Sequence, residues 1–191
     1  PVNCPKSQKI IDNAAEYYSK KFTAGEREDN GVVKALVCLF LMSTGEDKYL
    51  PIVKKAYKSL IEKPESIGDH TWNNGYNGIA VCEYYLRTRD KDVMPLIQAY
   101  CDNARDRQKF GAAWPHWGKG INPRYCGGGI MNPASSQILT TLLLAKECGA
   151  DVDEKTLLGC LRFFYRFTGH GTVPYGNDRA EGGLGSNGKD S

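Results

Sequence analysis

The sequence has no apolar stretch long enough to span a membrane, because no run reaches the roughly 18 residues that such a helix needs. A strong excess of one charge is also missing. The chain carries 25 lysine and arginine residues against 22 aspartate and glutamate residues, a formal net charge of +3. That balance is too small to indicate nucleic-acid binding. We therefore expect neither a membrane span nor a nucleic-acid partner.

The chain contains no CxxC pair, although it has seven cysteines. The odd count and the absence of CxxC argue against a disulfide framework. Cys38, Cys82 and Cys160 lie within apolar helical patterns, where cysteine behaves as a small hydrophobic residue. This usage favours a reducing, cytoplasmic compartment.

A repeat with a period of 44 residues is the strongest signal in the chain. Asn-Gly occurs at 30–31 and 74–75, Val-Cys at 37–38 and 81–82, and proline at 51 and 95. A third, looser copy begins at Asn132-Pro133. Internal repeats of about 20–50 residues are typical of stacked supersecondary units.

Each repeat predicts a helical hairpin, and the fold class is therefore all-α. The run 32–42 is apolar on every side, as expected of a buried inner helix. The segment after it is amphipathic, which indicates an outer helix. Its apolar residues recur at helical spacing: Leu50, Val53, Tyr57, Leu60 and Ile61.

The sequence predicts about three and a half hairpins. A lone helix runs from an N-cap at Ser7 to Phe22. The three hairpins after it span about Asn30 to Lys63, Asn77 to Gln108 and Asn132 to Phe167. Gly149 is predicted to end the third inner helix, and Asp151 or Asp153 to start its outer partner.

The chain begins at Pro1 rather than at methionine and ends where a further inner helix would begin, so we expect a piece of a longer protein. Residues 1–191 would then form one truncated domain. An excised arc of hairpins exposes an apolar edge, expected near Leu157–Phe167 or at the first helix. We expect self-association or marginal stability as a result.

The connections between hairpins are long, and we interpret Asp69–Gly78, Lys109–Met131 and Thr168–Ser186 as loops. Because the hairpins stack side by side, these loops must lie at one end of the stack, the candidate working face. They contain all three histidines and all three tryptophans of the chain: His70, His116, His170, Trp72, Trp114 and Trp117.

Alternating inner and outer helices with loops at one rim resemble the α/α toroids, which include terpenoid cyclases, protein prenyltransferases, lanthionine cyclases and six-hairpin glycosidases. The order of four motifs also resembles an uncharacterised bacterial domain family, over about Asn30 to Lys189. The motifs are Trp72–Asn77, Gly127-Gly128-Gly129, Met131-Asn132 and Val173-Pro174-Tyr175-Gly176. The resemblance implies export in many members and a PDZ-like segment upstream, but no established activity. Localisation stays open between export and the cytoplasm.

A saccharide site is the first interpretation of the loop residues. Aromatic rings stack on sugars, and two carboxylates can divide the acid and base roles of glycoside cleavage. The candidate catalytic residues are Asp69, Asp178 and Glu181. The candidate ligand-binding residues are His70, Trp72, Trp114, His116, Trp117, Tyr125, His170, Tyr175 and Asn177. The alternative is that the aromatic residues hold long loops on the helix ends.

Three other interpretations stay open. A zinc ion could bind the three histidines, or Cys126 with two of them, as on the rim loops of lanthionine cyclases. The spacings match no local metal motif, so we predict no metal or other cofactor. Cys126 could act as a nucleophile with His116 or His170, using the N–H groups of 127–129. Finally, the arc could be a non-catalytic module that binds a peptide or another ligand. The expected partners are a polar polymer or small molecule and the remainder of the parent chain.

Overall fold

The computed structural model describes residues 4–24, 31–109, 113–116, 130–169, 171, 173 and 176–177. These residues are almost entirely helical, so the predicted all-α class is confirmed. None of their helices is long and apolar enough to cross a bilayer. The α-helices are α1 (Pro5–Thr23), α2 (Gly31–Ser43), α3 (Leu50–Ala56), α4 (Lys58–Glu62), α5 (Thr71–Thr88), α6 (Met94–Arg107), α7 (Asn132–Cys148) and α8 (Glu154–Tyr165).

Short elements connect these helices. Single turns of 3₁₀ helix precede α3 and α6, at Asp47–Tyr49 and Lys91–Val93, and another follows α4 at Pro64–Ser66. Strands β1 (Ile130–Met131) and β2 (Gly176–Asn177) form a two-stranded antiparallel pair beside the start of α7.

The predicted inner helices α2 and α5 lie side by side and run in the same direction. Near their N-terminal ends, a Cβ atom at Gly31 would come within 2.9 Å of Asn73 Cγ. Near their C-terminal ends, Arg87 donates a hydrogen bond of 2.6 Å to the carbonyl oxygen of Met42. The N-termini of α2 and α5 therefore lie at the same end of the molecule.

Helix α7 continues the row on the other side of α5, also in parallel. Thr141 donates to the carbonyl oxygen of Gly75 at 2.8 Å, and the Cys148 thiol lies 3.7 Å from the carbonyl oxygen of Cys82. Each pair is 66 residues apart, so the two helices keep one register over their length. The predicted succession of inner helices α2, α5 and α7 is present.

The outer helices run against the inner ones. Lys34, in the first turn of α2, lies 4.6 Å from the ring of Tyr57 beyond the end of α3. Asn74, at the start of α5, donates to Asn103 near the end of α6 at 3.0 Å. The hydrophobic core lies between the two layers and includes the fully buried residues Cys38, Leu41, Val53, Ala80, Cys82, Leu96 and Ile97.

The predicted loop Asp69–Gly78 is wrong, because helix α5 already begins at Thr71, six residues ahead of the predicted Asn77. Asparagine and glycine have low helix propensity, but here packing overrides it. Gly75 and Gly78 let α7 approach closely, since added Cβ atoms would lie 2.5 Å from Gln137 Cβ and 2.4 Å from Thr141 Cγ2.

The first two predicted helices also need correction. Helix α1 begins at Pro5, with Cys4 rather than Ser7 at the N-cap position, because proline suits the first helical turn. The first outer helix is interrupted at Tyr57, whose φ of −102° and ψ of 2° separate α3 from α4. The second outer helix, α6, is continuous as predicted.

Apolar side chains are exposed at several places on the helical surface. Inner helix α2 is not buried on every side as predicted, since Leu36 is 48% exposed. On the first helix Ile10 is 69% exposed, and on α8 Tyr165 is 77% exposed. Both predicted edges therefore carry exposed apolar residues, while self-association remains a prediction.

Candidate functional site

The N-terminal end of α5 brings together several of the predicted site residues. His70 occupies the N-cap position, where its Nδ1 accepts a hydrogen bond of 3.3 Å from the backbone N–H of Asn73. This bond satisfies one of the N–H groups that a helix leaves unpaired at its start. The backbone N–H of Thr71 donates to the carbonyl oxygen of His116 at 2.9 Å, which joins segment 113–116 to the helix.

Trp114 anchors segment 113–116 in the core. Its side chain is fully buried, and its indole Nε1 donates to the carbonyl oxygen of Ala104 at 2.8 Å. Its backbone N–H donates to the Ser135 hydroxyl at 3.0 Å, and its carbonyl oxygen accepts from Met131 N at 3.0 Å. Because this tryptophan is enclosed by helices α6 and α7, it positions His116 and presents no surface to a ligand.

Trp72 lies between the histidine pair and Tyr76, the next aromatic residue along α5. Its indole Nε1 donates to Nδ1 of His116 at 3.2 Å. The His70 and His116 rings meet edge to face, with centroids 4.9 Å apart and an interplanar angle of 78°. One turn along α5, the Tyr76 ring lies nearly parallel to Trp72, at 8° and 6.3 Å between centroids. Both aromatic side chains are half-buried.

A buried arginine supports this arrangement from α6. Arg107 is 1% exposed and donates to the Thr71 hydroxyl at 2.9 Å and to Asn103 Oδ1 at 3.2 Å. The Thr71 hydroxyl in turn donates to the carbonyl oxygen of Pro115. Burial lowers the pKa of Arg107, and the nearby Asp69 carboxylate opposes that shift. The chain Arg107–Thr71–Pro115 fixes the segment that carries His116.

The same environment holds both histidines in the neutral form. Burial lowers the pKa of His70, the positive charge of Arg107 lowers it further, and Asp69 partly offsets the change. Burial and the adjacent His70 lower the pKa of His116. In each ring Nδ1 accepts a hydrogen bond, so in the neutral tautomer the proton resides on Nε2.

The structure thus brings His70, Trp72 and His116 together, with the exposed Asp69 beside them. The backbone of Asn177 pairs with Ile130, next to the start of α7 and so at the same end of the molecule. The other candidates lie outside the described residues: Trp117, Tyr125, Cys126, His170, Tyr175, Asp178 and Glu181. Their roles remain predictions.

Sequence reasoning missed three contributors to the site, namely Thr71, Tyr76 and Arg107. Arg107 had a detectable signal, since it continues the buried face of α6 after Tyr100 and Ala104 at helical spacing. A charge on such a face needs a partner. Tyr76 was hidden by the interpretation of its segment as a loop.

The described residues contain no group of three or more histidine, cysteine, aspartate or glutamate side chains arranged to hold a metal. His70 and His116 are two potential ligands, and both Nδ1 atoms accept hydrogen bonds from within the chain. The third histidine and Cys126 lie outside the described residues. No metal centre is assigned.

A separate groove of about 620 Å³ lies between α1 and the 3₁₀ turn before α3, near the C-terminal end of α2. Its charged groups are largely paired with one another, through Lys20–Glu16 at 2.7 Å and Lys48–Glu46 at 2.9 Å. Its lining contains no histidine and no aromatic cluster. We therefore place the candidate site at α5.

Comparison with known proteins identifies the family but no function. No curated protein and no solved structure matches the chain. The model of one family, described as a domain of unknown function, DUF6288, matches residues 7–191. That match covers nearly the whole sequence, and the chain belongs to the DUF6288 family.

Proposed function

We propose that the surface at the start of α5 binds a saccharide. This surface, called the α5 N-terminal face, consists of Asp69, His70, Trp72, Tyr76 and His116. The observation that carries the proposal is the pair of parallel, half-buried rings, Trp72 and Tyr76, held beside two neutral histidines.

The aromatic pair suits the apolar face of a sugar ring. Trp72 and Tyr76 lie on successive turns of one helix, so their rings share a face and their interplanar angle is 8°. A rigid aromatic surface offers a large contact area at a low cost in conformational entropy. The hydrogen bond from Trp72 to His116 fixes the indole before a ligand arrives.

The polar groups beside the rings suit sugar hydroxyls, which both donate and accept hydrogen bonds. The exposed Asp69 carboxylate accepts, and each neutral histidine carries an N–H donor on Nε2, because its Nδ1 already accepts a hydrogen bond within the chain. Small-molecule sites typically combine an apolar surface with a few polar groups that orient the ligand. The near-neutral formal charge of the chain, +3, favours an uncharged saccharide over a polyanion.

The proposal concerns binding, and cleavage would need more. Glycoside hydrolysis requires a second carboxylate roughly 5–10 Å from the first. Asp69 is the described member of the proposed set, while Asp178 and Glu181 lie outside the described residues. Binding alone therefore requires fewer groups than cleavage does, and the proposed groups for binding are already present in the α5 N-terminal face.

We also propose an α/α toroid for the complete protein. The parallel inner helices and opposed outer helices support this arrangement, as do the exposed apolar residues at both edges. In such a ring the α5 N-terminal face would lie at the rim.

The test is a glycan screen followed by calorimetric titration of each hit, with EDTA present to exclude metal effects. We expect Trp72→Ala to weaken binding about 10-fold or more, since a buried aromatic contact contributes roughly 1–3 kcal/mol. Tyr17→Ala is the matched control, because Tyr17 is 61% exposed on α1 and lies in no described site. Absence of any glycan hit, or equal losses in the two variants, contradicts the proposal.

A further inference from the structure

We propose that acid switches the α5 N-terminal face off, because a proton on Nδ1 of His116 displaces the Trp72 indole from its hydrogen bond. The effect on a ligand rests on the proposed function. The switch itself is a property of the ligand-free chain and can be measured without any ligand.

The switch depends on one hydrogen bond, the one between Trp72 and His116. Indole Nε1 carries a hydrogen that it can only donate, and it lies 3.2 Å from Nδ1 of His116. This contact is favourable while Nδ1 has a lone pair. In the imidazolium form both ring nitrogens carry hydrogens, so two N–H groups would face each other. The indole must then move away from His116.

The position of His116 is fixed independently of its ring. Its carbonyl oxygen accepts from the N–H of Thr71 at 2.9 Å, and the preceding Pro115 carbonyl accepts from the Thr71 hydroxyl. Trp114 holds the same segment in the core. Because the backbone of this segment is tied at three points, the N–H contact is relieved by separation of the Trp72 and His116 side chains, which breaks their hydrogen bond.

Burial and the neighbouring His70 oppose protonation of His116 at neutral pH. From the start of α5, His70 packs edge to face at 4.9 Å between ring centroids. From α6, the buried Arg107 guanidinium acts on His70, and the Asp69 carboxylate is the negative charge that offsets it. The pKa of His116 is accordingly lowered by burial and by His70.

The sign of the effect follows from these shifts. A histidine with an ordinary pKa near 6.5 is half-protonated at that pH. His116 has a lowered pKa, so the face stays intact at neutral pH and is lost only as the pH falls through that lower value. Once Trp72 is released, binding should weaken about 10-fold, the same loss as expected for Trp72→Ala.

The switch is tested by NMR on the ligand-free chain, by following the indole N–H resonance of Trp72 from pH 7.5 to 4.5 in EDTA. Trp72→Phe assigns the resonance. We expect a single transition below about pH 6.5, in step with a change in the His116 ring signals. The Trp114 indole, which donates to the Ala104 carbonyl oxygen in the core, should not move and thereby reports that the fold persists.

Two histidine variants serve as a matched pair. His116→Asn places an amide oxygen near the position of Nδ1, where it accepts from Trp72 without titrating, so the Trp72 resonance should become independent of pH. His70→Asn retains an N-cap acceptor for Asn73, and the Trp72 transition should persist. A pH transition of the Trp72 resonance that persists in His116→Asn overturns the switch. So does a transition that coincides with a shift of the Trp114 resonance.

A parallel titration with a glycan hit separates the two proposals. A Trp72 transition without glycan binding at pH 7.5 supports the switch and contradicts the proposed function. Glycan binding with the same affinity at pH 7.5 and 5 supports the function and overturns the switch. A 10-fold loss of affinity between pH 7.5 and 5 that follows the Trp72 transition supports both.

Discussion

The Thr141 hydroxyl donates a hydrogen bond of 2.8 Å to the carbonyl oxygen of Gly75, across the contact between α5 and α7. One turn further, the methyl group of Thr141 fills the space that a side chain at Gly78 would need. The close packing of α5 against α7 therefore depends on two glycines that helix propensity alone disfavours. Since α5 carries the candidate site at its start, this contact also positions the site.

We predict that Gly78→Ala destabilises the chain. Alanine in a helix interior normally gains about 1 kcal/mol over glycine. Here its Cβ would lie 2.4 Å from Thr141 Cγ2, and overpacking of this kind costs about 1–3 kcal/mol. The hydroxyl of Thr141 is held by Gly75, so the side chain cannot rotate away without losing that bond. Urea unfolding should show a lower midpoint with an unchanged slope.

Two variants accompany that measurement. Thr141→Ser removes the clashing methyl but keeps the hydroxyl, so combining it with Gly78→Ala should recover part of the lost stability. Gly68→Ala is the control, because nothing lies within 4 Å of a Cβ there. If Gly78→Ala stabilises the chain as an ordinary helix substitution would, the close approach of α5 and α7 is wrong.

Tyr57→Phe should lower the free energy of unfolding by about 1–3 kcal/mol, the cost of leaving a buried acceptor without its donor. The Tyr57 hydroxyl, on a side chain 2% exposed, donates to Asn77 Oδ1 at 2.9 Å. Phenylalanine keeps the ring contact with Lys34, so the variant isolates the hydroxyl. Tyr165→Phe, at a site 77% exposed, should leave stability unchanged. Equal effects in the two variants would contradict the assigned bond.

Asp153→Ala should lower Tm by a few degrees, whereas Asp151→Ala should leave it unchanged. The sequence left either residue open as the start of the last helix, and the structure selects Asp153. Its Oδ2 accepts from the N–H of Thr156 at 2.7 Å, which is the N-cap bond of α8. Asp151 contacts Gln98 through its backbone only. Thermal melts of both variants at pH 7 test this assignment. A larger loss of Tm in Asp151→Ala than in Asp153→Ala would contradict Asp153 as the N-cap.

Stability should fall as the pH is lowered from 7 to 5. The folded state lowers the pKa of His70 and His116, so below about pH 6.5 the unfolded chain binds more protons than the folded chain. Proton uptake therefore favours unfolding, and the loss grows until the pH reaches the lowered values. Carboxylates with lowered pKa, such as Asp90 and Asp153, act at a more acidic pH and do not contribute in this window.

The double variant with His70→Asn and His116→Asn isolates that effect. Its Tm should vary less between pH 7 and 5 than that of the original chain, measured by calorimetry in matched buffers. An identical pH dependence in the two proteins would show that the histidines titrate alike in the folded and unfolded states.

The sequence was sufficient for the hairpin order because the first two inner helices repeat after 44 residues and a third, looser copy follows at Asn132-Pro133. Gly149 was predicted to end α7, and it does so with a φ of 87°. The start of α5 was not predictable in the same way. Its Asn-Asn-Gly segment resembles a loop until α7 is present to fill the groove beside Gly75.

The candidate site was only partly predictable for a related reason. His70, Trp72 and His116 were chosen because they share one end of the stack, and the structure places them in contact. Trp114 belonged to the same group by sequence, yet it lies fully buried. Its buried orientation depends on Ala104 of α6 and Ser135 of α7, which are brought together only in the folded chain. Burial of single side chains in a connection depends on such tertiary partners.

The most direct test of the account follows the tryptophan indole N–H resonances while a saccharide from the glycan screen is added at pH 7.5. Trp72 is half-buried and Trp114 is fully buried, but both are observed in one sample. Trp114 therefore serves as the internal control for Trp72. We expect a saturable shift of the Trp72 resonance and an unchanged Trp114 resonance. Saturable binding that leaves Trp72 unmoved would contradict the assignment of the ligand site to the start of α5.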